Sequence, residues 1–109
     1  MTTINVLGST YTVRCMAEAE NPLLKNCDGY TDKTTRQIVV AAATPDCDLG
    51  NYTVYYKQVL RHEIIHAFLF ESGLHESWQH KEGHDESYVD WIAAQFPKLL
   101  AAFKEADAL

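Results

Sequence analysis

The sequence predicts an α+β fold, a small antiparallel or mixed β-sheet packed on helices. Three observations predict it. β-Branched runs concentrate before residue 42, the stretch from about Asn51 to Ser72 holds no Gly or Pro, and no Ser/Gly linker, repeat or low-complexity tract divides the halves. At 109 residues the chain has surface enough for one core, so residues 1–109 are expected to form a single domain.

The elements follow in order. Ile4 to Leu7 and Thr10 to Arg14 are β-branched segments separated by Gly8-Ser9, the short turn of a hairpin. Ala17 to Asp28 is polar, contains Asn21-Pro22 and ends in Asp28-Gly29, so it reads as a connection, with a weak strand beginning near Tyr30. Arg36 to Ala42 is the best strand in the chain, with Ile38 and Val40 on one face and Val39 and Ala41 on the other. Thr44 to Gly50 is a loop, and the helix from about Asn51 to Ser72 is stopped by Gly73. Its apolar residues Tyr55, Val59, Leu60, Ile64, Phe68 and Leu69 spread around the circumference, as in a helix buried in the middle of a domain. After the polar stretch Leu74 to Gly83, a second helix is expected from about His84 to Phe96, closed by Pro97. A short C-terminal helix would turn Leu99, Leu100 and Phe103 inward.

Composition excludes several function classes. With 47% hydrophobic and 22% charged residues the chain is neither disordered nor fibrous. A net charge of −6 repels phosphate backbones, so no nucleic-acid partner is expected. The opening Met1 to Leu7 carries no basic stretch, and no segment reaches the roughly 20 apolar residues of a membrane span, so neither a signal peptide nor a membrane partner is expected. Cys15, Cys27 and Cys47 are too few for a disulfide scaffold and contain no C-x-x-C pair; reduced thiols in a cytoplasmic setting are the simplest reading.

Chemistry concentrates in His62-Glu63-Ile64-Ile65-His66, an H-E-x-x-H pattern inside the central helix. A four-residue step is about one helical turn, so both imidazoles project from one face and can grip one metal ion. Glu63 is then a carboxylate beside the ion that does not ligate it, placed to take a proton from water. The pattern arises by chance about 1.6 times per hundred sequences of this composition. Three ionisable groups in so apolar a helix are costly to desolvate without a partner such as a metal, which argues against the plain reading of solvated helix residues.

Downstream, Glu86 and Asp90 are again four apart and share a helix face. A catalytic zinc takes three protein ligands and a water, and Glu86 is the preferred third ligand. Asp90, one turn on, can accept from the free ring nitrogen of a ligating histidine. His80, His84 and Asp85 are rival ligands, and the acidic pair has the alternative reading of a solvated helix face. His75 and His80 read as surface loop histidines, either able to stabilise an oxyanion.

These residues resemble those of gluzincin-type zinc metallopeptidases, which carry H-E-x-x-H and then E-x-x-x-D on a second helix. By size the chain is similar to the small subset called minigluzincins. The metzincin pattern does not fit, because Leu69 and Ser72 stand where its glycine and third histidine belong. The resemblance covers the C-terminal half in motif terms. It implies a zinc-dependent peptidase with Glu63 as general base, a peptide or protein substrate, and a sheet whose edge strand binds that substrate in extended form. Here that strand would be Arg36 to Ala42, with Ile38, Val39, Val40 and Ala41 in contact with the peptide. A residue holding the tetrahedral intermediate would be His80 or Tyr88. The runs around Leu60 to Leu74 and Asp90 to Leu99 are also similar to small uncharacterised proteins of bacteria or their phages.

Two other readings use the same residues. The metal site could be a structural clasp in a binding or regulatory module, or the peptidase could be latent, its cleft covered by Lys98 to Leu109 or by Leu74 to Gly83. Two His and one carboxylate suit Fe(II) as well as zinc.

Overall fold

The computed structural model describes residues 1–74 and 86–109. It has the α+β architecture the sequence predicts: a four-stranded mixed sheet against one face of a long helix, with a second helix on that helix's other flank.

Strand β1 (Thr2–Val6) and strand β2 (Ser9–Met16) form the hairpin, antiparallel with Val6 opposite Ser9. The turn is therefore Leu7-Gly8, one residue earlier than Gly8-Ser9. Both residues have positive φ, 52° and 93°, the requirement of the tight turn whose twist matches the strands. Gly8 meets it freely and Leu7, 60% exposed, meets it against its preference.

The connection after β2 contains a 3₁₀ turn, Pro22–Lys25, capped by the Asn21 side chain. It leads to β3 (Gly29–Asp32), which turns back into β4 (Gln37–Ala41). Spatial order is β1-β2-β4-β3, with β4 parallel to β2 and antiparallel to β3. The strand expected at an edge thus lies inside the sheet: Ile38, Val39, Val40 and Ala41 have both backbone edges occupied. The apolar residues on both faces of that strand are the mark of a central strand, and the edges are β1 and the half-buried β3.

Ile38 and Val40 point to the core, where Val6, Tyr11, Val13 and Ala67 are also buried. Val39 points to the opposite face and is equally buried, flanked by its register partners Arg14 and Tyr30. Asn21 donates its amide to the Tyr30 hydroxyl at 2.8 Å, tying the connection to that face.

Helix α1 (Tyr52–Glu71) is capped by Asn51, whose side chain accepts from Val54 N, and ends at Ser72 before Gly73 at φ 75°. Tyr56, Val59, Leu60 and Ile64 pack on the sheet core. Helix α2 (Glu86–Glu105) buries Val89 and Ala93. It continues through Pro97, where an end was expected, so the separate C-terminal helix is the second half of α2. Pro97 lacks the N–H that would serve the Ala93 carbonyl, and Arg61 Nε of α1 donates to that oxygen instead, at 2.6 Å. Leu99 and Leu100 are half-buried and Phe103 is 43% exposed, so Phe103 does not turn inward. Among the described residues no helix is long and apolar enough to cross a membrane.

Candidate metal centre

The one-turn spacing of His62 and His66 does what helix geometry requires. Their Nε2 atoms lie 2.9 Å apart on the flank of α1 that meets β3 and the second helix. The first turn of α2 brings Glu86 to the same point, its Oε2 2.9 Å from His62 Nε2 and 3.3 Å from His66 Nε2. The three side chains form the group able to hold a metal ion among the described residues.

Two properties decide whether a cation fits. A tetrahedral zinc with bonds of about 2.0–2.1 Å has donor–donor edges of about 3.3–3.4 Å. The observed triangle is within a few tenths of an ångström of that. Its donors are also chemically apt. Asp90 Oδ1 lies 2.6 Å from His62 Nδ1, so the proton sits on Nδ1 and the Nε2 lone pair faces the centre. Three electron-rich atoms at these separations repel one another unless a proton or cation sits between them.

Glu63 stands beside this triangle and outside it. It is buried, with Oε2 3.9 Å from His62 Nε2. The Thr31 hydroxyl of β3 lies 2.8 Å from Glu63 Oε1 and 2.9 Å from the Glu63 carbonyl, so its single proton serves these acceptors and pins the carboxylate. Burial pushes the Glu63 carboxyl above the usual Glu range; the Thr31 bond and the two imidazoles pull the other way without overcoming it. A carboxyl raised toward neutrality takes and returns protons more readily than an ordinary surface Glu.

The group opens into a cleft of about 560 Å³. Gly29 and Thr31 of β3 roof it, Val59, His62, Glu63 and His66 form its floor, and Glu86 and Asp90 its wall. A methyl group on Gly29 would come 2.9 Å from the Val39 carbonyl and 3.1 Å from Val59 Cγ1, so only glycine allows the edge strand to approach this closely. Ala41 N donates to Asp28 O across the hairpin. By antiparallel alternation the N–H and C=O of Gly29 and Thr31 therefore point away from β4, to the free edge.

The sequence reading placed His62, His66, Glu86, Asp90 and Glu63 together, and the structure brings all five to one cleft. Tyr88 is 66% exposed and does not line it; it lies between Glu86 and Asp90 on the helix, on the opposite side. His75, His80, His84 and Asp85 lie outside the described residues. Thr31, Gly29, Asp28 and Tyr55 were missed. Asp28-Gly29 signalled only a turn, although a glycine entering a strand also marks close backbone approach. Comparison with protein-family models, curated proteins and solved structures finds no match.

Proposed function

We propose that this chain is a zinc-dependent peptidase in which His62, His66 and Glu86 hold the ion and Glu63 is the general base. One observation carries the reading. Three neutral or anionic donors converge within bonding reach of one point, while a buried fourth group of raised pKa stands 3.9 Å from the nearest donor and is held by a neighbouring strand. A purely structural site has no use for that fourth group.

When bound, zinc supplies a Lewis acid that polarises the scissile carbonyl and lowers the pKa of a coordinated water to about 7. The chain's own residues do the rest. The substrate lies along β3, its backbone paired with the outward N–H and C=O groups of Gly29 and Thr31. Glu63 takes the proton of the attacking water and delivers it to the departing amine. Thr31 keeps the Glu63 carboxylate turned to that path, and Asp90 keeps His62 in the tautomer that offers Nε2.

The clasp reading draws support from Glu86, the one ligand on α2. Against it, Val89 and Ala93 already bury α2 against the domain and Arg61 already bonds to Ala93, so the helices have a junction without an ion. Three unbridged cysteines support a reducing, cytoplasmic setting.

The test is Glu63→Gln. Peptide hydrolysis should fall by about 10²- to 10⁴-fold while the zinc stoichiometry stays that of the unmodified chain. Undiminished hydrolysis would overturn the role of Glu63, and loss of the ion would make it a ligand.

A further inference from the structure

Asp28 and Tyr55 line two clefts at once. One is the metal cleft; the other, about 650 Å³, lies beyond it toward the start of α1 and is bounded by Leu24, Leu49 and Tyr52. Sharing these lining residues, the two clefts adjoin where the Tyr55 hydroxyl donates to the Asp28 carboxylate. Direction along them follows from contacts already described. Gly29 faces Val59 and Thr31 faces Glu63, so β3 and α1 run the same way. A peptide added antiparallel to β3, the more stable pairing, runs the opposite way. The part after its scissile bond therefore passes Gly29 and meets Asp28 and Tyr55.

The metal cleft is acidic, and the adjoining cleft is lined by Glu18, Asp48 and Lys25. Among the described residues Asp28, Glu63, Glu86 and Asp90 line the metal cleft and no Lys or Arg does. Glu63, Glu86 and Asp90 are committed to the ion and the proton path. Asp28 is not, and its Oδ2 accepts from the Tyr55 hydroxyl. The Tyr55 phenol is pushed up to about 12, first by that bond and then by burial, so it stays neutral and adds no charge of its own.

Resting on the peptidase reading, we propose that Asp28 and Tyr55 form a side-chain pocket on the leaving-group side of the ion, and that it receives Lys or Arg at one of the first two positions after the scissile bond. The substrate class is thus a peptide basic just beyond the cut. A guanidinium or ammonium would bond to the Asp28 carboxylate, a charge-assisted contact at the exposed rim of the cleft.

Binding tests this without needing turnover. Peptides that begin in a hydroxamate, which anchors on the ion, are titrated into the zinc-loaded chain with Arg, Leu or Glu at the first or second position beyond the anchor. Arg at one of them should bind at least about tenfold tighter than Leu, and Glu more weakly than Leu. Asp28→Asn should reduce the Arg advantage to twofold or less; Tyr55→Phe, which keeps the carboxylate, should retain it. Equal binding of Arg and Leu, or an advantage untouched by Asp28→Asn, overturns the pocket and leaves the peptidase reading standing. An Arg advantage abolished by Asp28→Asn, in a chain that cleaves no peptide, supports the pocket and sinks hydrolysis. Failure of every hydroxamate to bind the zinc-loaded chain overturns both.

Discussion

Glu71 closes the last turn of α1 onto the sheet, and its surroundings set a pH dependence. Its carboxylate accepts from the Tyr11 hydroxyl at 2.8 Å, Ser9 Oγ at 2.9 Å and Arg36 Nε at 3.2 Å. These bonds, Tyr11 first, hold it below the usual Glu range. A lowered folded-state pKa means that the ionised group stabilises the fold at neutral pH, with that contribution lost as pH falls from the ordinary value of 4.5 through the lower folded one. Glu71→Gln should therefore lower the urea midpoint at pH 7, with the gap to the unmodified chain closing in acid. A gap independent of pH would contradict the role given to the charge. Tyr11 mirrors this at the alkaline end. Burial and the Glu71 bond push its phenol to about 12, so its contribution is complete below pH 10 and lost as pH rises through about 12.

At the scale of elements, α2 supplies Glu86 and Asp90 to the candidate metal centre and is also the element with an internal proline. The Arg61 bond to Ala93 meets the acceptor that Pro97 leaves orphaned, one residue along α1 from His62. Arg61→Leu should cost about 1–3 kcal/mol, the penalty of an unsatisfied buried carbonyl, read from denaturant unfolding. Combined with Pro97→Ala, which restores the helix's own donor, the same change should cost clearly less; equal costs in the two backgrounds would show that the bond does not serve the proline gap. From sequence alone Pro97 reads as a terminator, since the residue that rescues its helix is 36 positions away. The β-sheet shows the same limit. Hairpin β1–β2 and strand β4 are visible as local patterns of β-branched residues, while β3 is short and half-buried, and its place at the edge follows from pairing rather than from its own residues.

Across the whole molecule, what was legible in the sequence is what a single helix face can encode. His62 and His66, and likewise Glu86 and Asp90, announce themselves because four residues make a turn. That the two pairs meet is a tertiary fact, and so is the grip of Thr31 on Glu63 across 32 positions. The fold therefore supplies what the motif lacks: a strand over Glu63, a cleft leading away from it, and a carboxylate beside His62 Nδ1. The most direct measurement is zinc stoichiometry by mass spectrometry under native conditions. The account predicts one ion per chain, lost in His66→Ala and in Glu86→Ala with the fold retained; a chain that binds no zinc, or binds it equally well without those side chains, would contradict it.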